Sequence, residues 1–68
     1  MAERGEYLFT IKENTRGEFW IAAEPAGDTI KSLDDCVLGF DLGAGATHAH
    51  AVAVADYLNR NIAAITLT

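Results

Sequence analysis

In two stretches near the N-terminus, every second residue belongs to a strongly apolar face. Glu6–Lys12 and Glu18–Glu24 both follow the period of two that is typical of a β-strand. The polar segment Glu13–Gly17 between them ends in glycine, which suits a hairpin loop with one residue at positive φ. Pro25 lacks the N–H group that a strand ladder needs and ends the second strand. We therefore predict an antiparallel β-hairpin.

The second half of the chain changes from a strand period to a helix period. Val37–Leu42 alternates as a third strand would, and a glycine-rich loop then leads to Thr47, a predicted N-cap. A helix is predicted over His48–Asn61, with Asn61 tolerating the left-handed conformation that can end a helix. Ile62–Leu67 is the predicted last strand. At 100° per residue the apolar stripe of the helix comprises Ala51, Val54, Ala55, Leu58 and Ile62.

This order of elements predicts an α+β fold. The sequence β-β-(β)-β-α-β gives a small antiparallel sheet with one helix packed on one face. The length of the chain suits a single domain over residues 1–68. Thr29–Asp35 fits either a short edge strand or a loop. Because the helix stripe faces the sheet, we expect Leu58 to be among the most buried residues of the helix.

Charge is divided unevenly between the two halves of the chain. The net charge is -5, and eight of the ten acidic residues precede Cys36. A phosphate backbone would be repelled by that surface, so nucleic acid is not an expected ligand, and a charged macromolecular partner is expected to be basic. The segment Cys36–Thr68 has only three charged residues. A segment with so few charges needs to bury much of its apolar surface, and a small chain can hardly supply enough residues to bury it. We therefore expect a second copy of the chain to contribute.

The sequence lacks the usual signals for export and for membrane insertion. Cys36 is the single cysteine and cannot form an internal disulfide, and the N-terminal residues have neither an apolar core nor a cleavage signature. The longest apolar stretch is interrupted by His48, His50 and Asp56, so no segment reaches the roughly 20 apolar residues of a membrane helix. We therefore expect a cytoplasmic protein without a membrane partner.

The glycine-rich loop Gly43–Thr47 is the segment most similar to a ligand site. The backbone N–H groups of such a loop at a helix N-terminus can bind phosphate, with Gly43, Gly45 and Thr47 as candidate residues. The loop has neither the spacing nor the lysine of a P-loop. A tight strand-to-helix connection that requires small residues explains the same pattern.

The other reactive and metal-binding side chains do not form a recognisable set. His48 and His50 would diverge by about 200° on a helix, which prevents them from chelating one ion. Cys36 follows two acidic residues, whose charge disfavours a thiolate nucleophile. The sequence therefore predicts no catalytic residues, no metal site and no cofactor, and hence a protein that is not an enzyme.

Trp20 points away from the hairpin face that the helix is expected to cover. By strand alternation Ala22 shares the face of Trp20, and Leu8 and Thr10 on the first strand share it too. An exposed aromatic patch marks a contact surface. We therefore predict a homodimer whose interaction surface comprises Leu8, Thr10, Trp20 and Ala22.

Three segments are similar to a known family. Tyr7–Ile11, Gly17–Ala22 and Gly45–Thr47 with the alanine-rich helix after it resemble the N-terminal module of HicB-type antitoxins, which are small ββ…αβ proteins. The family usually begins this helix with a Glu-Glu-Ala-like sequence, where His48–Ala51 stands here. The resemblance implies a basic protein partner that binds an acidic edge of the sheet.

These patterns support three hypotheses about function. The first is a non-enzymatic, self-associating interaction module that uses the Trp20 face of its sheet. The second is an antitoxin-like binder of a basic protein. The third is a small phosphate-binding protein or enzyme that uses the loop Gly43–Thr47.

Overall fold

In the computed structural model, which describes residues 2–34 and 36–68, the chain forms five strands and one α-helix. The strands are β1 (Glu3–Gly5), β2 (Tyr7–Glu13), β3 (Phe19–Pro25), β4 (Leu38–Asp41) and β5 (Ile65–Leu67), and the helix is α1 (His48–Asn61). A short 3₁₀ turn at Lys31–Leu33 lies between β3 and β4. The predicted α+β class and the predicted bounds of the helix are confirmed.

β2 and β3 form the predicted antiparallel hairpin. Their ladder runs over the whole length of both strands. In the connecting loop, the side-chain oxygen of Asn14 accepts hydrogen bonds from two backbone N–H groups. Gly17 has a φ of +80°, which glycine adopts without the steric cost of a Cβ. The positive φ expected in this loop is therefore confirmed.

β4 joins the other side of β3, so that β3 is the central strand of a three-stranded antiparallel sheet. β5 does not join this sheet but pairs with β1 in a separate two-stranded ribbon, where Gly5 lies opposite Ile65. The last strand is thus shorter than the predicted Ile62–Leu67. Its partner is β1, a strand that the sequence pattern did not indicate. Hydrophobic alternation cannot predict β1, because Glu3–Gly5 contains no large apolar residue.

The segment after β3 is a loop with one buried anchor. Within Thr29–Asp35, where the sequence left strand and loop open, the 3₁₀ turn takes residues 31–33, and Asp35 lies outside the described residues. Ile30 is almost fully buried, and its backbone N–H donates to the hydroxyl of Tyr7 at 3.0 Å. This contact holds the loop against the start of β2.

The core lies between α1 and the β2–β3 hairpin. Ala51 and Ala55 are the buried residues of the helix, and they pack with Phe9, Ile21 and Ala23 of the sheet. Because the buried helix residues are alanines, the backbone of α1 can approach the sheet closely and still leave the interior well packed.

The predicted apolar stripe of α1 is only half covered. Leu58 is partly buried, while Val54 and Ile62 are exposed. Leu58 is therefore among the most buried residues of the helix after Ala51 and Ala55, as predicted, but it is not fully covered. The reason is that α1 packs on β2 and β3 and makes little contact with β4, so one side of its stripe has nothing to pack against.

α1 has the predicted bounds, but the backbone conformation at its C-terminal end differs from the predicted one. Ile62 follows the helix with an extended φ of -105°, and its N–H donates to the carbonyl of Leu58 at 2.8 Å. Asn61 is the last helical residue, and no residue other than glycine in the described ranges has a positive φ. The prediction of a left-handed Asn61 is therefore wrong.

Within residues 2–34 and 36–68, no helix combines the length with the apolar character that crossing a membrane requires.

The side chain of Asn59 joins α1 to the outer edge of β2. Its Oδ1 accepts from the backbone N–H of Phe9 at 2.8 Å, and its Nδ2 donates to the carbonyl of Phe9 at 2.9 Å. The carboxamide thus occupies the position that a peptide group of a neighbouring strand would occupy. These two hydrogen bonds fix the helix beside β2 and close the centre of this edge.

We predict that Asn59→Ala lowers the free energy of unfolding by about 1 to 3 kcal/mol, because both backbone groups of Phe9 lose their partners. Asn61→Ala is the matched control, since the Asn61 side chain donates to the carbonyl of Tyr57 in the same helix. Both changes replace a helical asparagine by alanine, so the difference between the two variants isolates the bonds to Phe9. Urea denaturation followed by the fluorescence of Trp20 measures it. Equal midpoints for the two variants would contradict the prediction.

Candidate interaction surface

The residues predicted to form the interaction surface lie on the face of the three-stranded sheet turned away from α1. The register places Thr10 opposite Ala22 at the centre of the hairpin, with Leu8 toward one end and Trp20 toward the other. Leu8 and Trp20 are therefore separated by about 13 Å along the strands. The two apolar residues that motivated the prediction do not form a common patch.

A polar network occupies the space between Leu8 and Trp20. The hydroxyl of Thr10 donates to the carboxylate of Glu24, and the ammonium of Lys12 lies 3.1 Å from the same carboxylate oxygen. The hydrogen bond from Thr10, together with the hydrogen bond and charge of Lys12, holds the pKa of Glu24 below its usual value. Glu24 is therefore a charged carboxylate near the centre of this face.

The four predicted surface residues also differ in exposure. Leu8 is 50% exposed and Ala22 is fully buried, while Thr10 and Trp20 are partly buried. Because Ala22 is covered within the chain, it cannot contact a partner, which removes it from the predicted surface. The indole of Trp20 packs over Gly39 of β4, where an added Cβ would lie 3.0 Å from two ring atoms. The indole of Trp20 thus covers part of β4 within the same chain. The sequence pattern did not indicate this contact.

A second exposed apolar area lies along β4. Val37, which directly precedes the strand, is 69% exposed, and Phe40 is 42% exposed. The ring of Phe40 lies against that of Phe9, with 6.0 Å between the ring centroids. Because α1 packs on β2 and β3, the remaining surface of Phe40 stays open. By strand alternation Val37 and Phe40 lie on opposite faces, so each face of this edge carries an exposed apolar side chain.

The outer edge of β4 is open, whereas that of β2 is closed at its centre by Asn59. The backbone groups of Phe9 point away from β3, and strand alternation then turns those of Gly39 and Asp41 away from β3 on the opposite edge. Within residues 2–34 and 36–68, no hydrogen bond reaches these outward groups of Gly39 and Asp41. The β4 edge thus presents free donors and acceptors beside an exposed apolar surface.

A small cleft at the Asp41 end of the sheet holds two carboxylates beside an indole. Its volume is 180 Å³, and it is lined by Asn14, Glu18, Phe19, Trp20, Asp41 and Leu42. Carboxylates attract a cation, and the face of an indole adds a favourable cation–π contact. The cleft is therefore suited to a lysine or arginine side chain and unsuited to an anion.

The glycine-rich loop uses its backbone donors internally. The N–H of Ala46 donates to the carbonyl of Gly43, and the N–H of Thr47 donates to Nδ1 of His50, both at 3.1 Å. The hydroxyl of Thr47 accepts from the N–H of His50, which completes a capping box and confirms Thr47 as the N-cap. Gly45 has a φ of +82°, which accounts for a glycine there. Two donors that an anion would need are already engaged, which favours a strand-to-helix connection.

The histidines and the cysteine lie at opposite ends of the sheet. His48 packs against Phe19 with ring centroids 5.3 Å apart, whereas the exposed Cys36 precedes β4 at the end where Leu38 pairs with Ala23. A cysteine and a histidine are therefore not brought together as nucleophile and base. Among the described residues, no group of three or more His, Cys, Asp and Glu side chains is placed to hold a metal ion.

Another cleft lies beside Cys36, between the end of β3 and the loop that follows it. Tyr7, Leu33 and Leu38 are among its lining residues, and its volume is 230 Å³. Small-molecule sites usually have volumes of about 300 to 1,000 Å³. This cleft is therefore smaller than a typical cofactor or substrate site.

The features that distinguish the two edges are not visible in the sequence pattern. Asn59 and Asn61 are both polar residues in the last turn of a predicted helix, and periodicity does not show which of them reaches the sheet. The open edge of β4 depends on the strand order, which alternation alone does not give. In the sequence, the apolar residues Val37, Leu38 and Phe40 indicate this strand but do not show that its outer edge stays open.

No family model matches the chain, and no curated protein or solved structure is similar enough to it to count as a match. The resemblance to HicB-type antitoxins therefore stays a prediction that rests on the three sequence segments alone.

Proposed function

We propose that this protein is a non-enzymatic interaction module that functions by self-association, with a homodimer as its basic state. The observation that carries the proposal is an excess of exposed surface. The chain exposes 4944 Å², whereas a compact monomer of 7.3 kDa exposes about 4,200 Å². The excess is close to the surface of about 800 Å² that each partner buries in a standard protein–protein interface.

The shape of the chain and the composition of its core support the same proposal. The radius of gyration is 12.7 Å, compared with about 11 Å for a compact domain of this length. In the described part of the chain seven apolar residues are buried, and four of them are alanines. Alanine side chains contribute little hydrophobic free energy, so burial against a second copy would add stability that the single chain lacks.

The distribution of reactive groups supports a role other than catalysis. Cys36 and His48 lie at opposite ends of the sheet, so these two residues do not pair as the nucleophile and base of covalent catalysis. Exposed apolar side chains are instead present beside the open edge of the sheet, at Val37 and Phe40. Apolar surface of this kind is the usual attribute of a binding site for protein.

We predict that the protein sediments with twice its chain mass of 7.3 kDa at high micromolar concentration and with the chain mass after dilution. Its thermal midpoint should rise with protein concentration, because association stabilises only the folded state. Sedimentation equilibrium and a thermal scan at several concentrations measure both quantities. A mass of one chain and a constant midpoint over the whole concentration range would contradict the proposed function.

Binding of a basic protein is a second candidate function, favoured by the cleft that holds Glu18, Trp20 and Asp41. A lysine or arginine side chain entering this cleft would contact two carboxylates and the indole together. The net charge of -5 would also increase the rate of association with a basic partner. This function is compatible with self-association, because the cleft opens at one end of the sheet.

We predict that an oligoarginine peptide changes the fluorescence of Trp20, whereas an oligoglutamate peptide does not. Asp41→Asn should weaken the binding by about two- to fivefold, as expected for the loss of one exposed ion pair. Asp28→Asn is the matched control, because it removes the same charge from an exposed residue outside the cleft. Equal weakening by both variants would show that only the overall charge matters and would contradict a role for the cleft.

A further inference from the structure

We propose that the protein self-associates by antiparallel pairing of β4 with β4 of a second copy, centred on Gly39. The two three-stranded sheets would then form one continuous sheet of six strands. This inference rests on the proposed function, because it assigns a surface and a register to that self-association. It also replaces the Trp20 face as the expected site of contact.

The two outer edges of the sheet differ in how their backbone groups are engaged. An edge strand with free backbone groups is a template for pairing with another chain. At β2 the carboxamide of Asn59 already bonds both backbone groups of Phe9, so an incoming strand would have to displace it. At β4 the outward groups of Gly39 and Asp41 have no partner among the described residues. The outward groups of Ile11 on β2 have no partner among the described residues either, but a ladder along β2 would be interrupted at Phe9, whereas a ladder along β4 can run without a break.

The direction of the backbone groups of β4 limits the register of the pairing. In an antiparallel ladder, only residues whose N–H and C=O groups point toward the partner can exchange hydrogen bonds. On the outer edge of β4 these are Val37, Gly39 and Asp41, by alternation from Leu38, which pairs with Ala23. Centring the two-fold axis on Gly39 uses all three residues of each copy and gives about six hydrogen bonds. A shift by two residues in either direction leaves some of these groups unpaired.

The register centred on Gly39 pairs compatible side chains. On the helix side of the sheet, Phe40 lies opposite the partner's Leu38, so that the half-exposed ring gains an apolar neighbour. On the other face, Val37 lies opposite the partner's Asp41, and no like charges meet. Exchanges of this kind are isologous, as a two-fold dimer requires. The pairing covers two exposed apolar residues, Val37 and Phe40.

Gly39 itself fits the centre of such an interface. An added Cβ would lie 3.0 Å from the indole of Trp20, so a side chain at this position would displace the indole from its place over β4 by a few tenths of an ångström. In the dimer the two glycines lie opposite each other, and the indoles flank the two-fold axis without obstruction. In the dimer, the indole of Trp20 would thus pack over the paired β4 strands.

The register can be tested by charge at Val37, a residue that is 69% exposed and whose replacement leaves the core intact. Relative to Val37→Gln, we expect Val37→Glu to raise the dimer dissociation constant about fivefold or more, because each glutamate then faces the partner's Asp41. Val37→Lys should lower the dissociation constant, because the same pairs become attractive. The double variant Val37→Glu/Asp41→Lys should restore association. Leu8→Glu, which adds the same charge to the Trp20 face, should leave it unchanged.

Sedimentation equilibrium on each variant separates the possible outcomes. A wild-type protein that stays monomeric at every concentration overturns the proposed function and this inference together. A dimer that Leu8→Glu weakens and Val37→Glu does not would show association through the Trp20 face, so that the proposed function stands and this inference fails. Equal effects of Val37→Glu and Val37→Lys would show that Val37 does not face Asp41, which overturns the register.

Discussion

The two hydrogen bonds between the carboxamide of Asn59 and the backbone of Phe9 determine how the rest of the molecule is arranged. They tie the last turns of α1 to the outer edge of β2, and the buried alanines Ala51 and Ala55 let the helix lie close to the hairpin. A helix held at one edge of a three-stranded sheet cannot also cover the strand at the opposite edge. β4 and its exposed Phe40 therefore follow from the position of the helix.

The small size of the chain makes this uncovered surface costly. A domain of 68 residues buries a limited fraction of its apolar area, and its buried residues include more alanines than large side chains. The face opposite α1 does not add a second core, because the network of Thr10, Lys12 and Glu24 keeps it polar at its centre. Pairing of β4 with a second copy would use backbone groups and apolar side chains that the single chain leaves exposed.

The sequence was sufficient for local structure and insufficient for what depends on register and strand order. The bounds of α1 were predictable because the Thr47 cap and the helical period agree, and the hairpin loop was predictable from its glycine. The exposure of Trp20 was not predictable, since it depends on the contact of the indole with Gly39 on a neighbouring strand. The role of Asn59 depends equally on a contact between residues 50 positions apart. Long-range pairs of this kind leave no periodic signal.

Residue-resolved amide hydrogen exchange at two protein concentrations tests whether the outer edge of β2 is closed at its centre within the chain while the outer edge of β4 is closed by a partner. The amide of Phe9, which donates to Asn59, should be protected equally in the dilute and the concentrated sample. The amides of Gly39 and Asp41 should exchange rapidly when dilute and become protected when concentrated. Rapid exchange of Gly39 and Asp41 at both concentrations, or of Phe9 at either, would contradict the account.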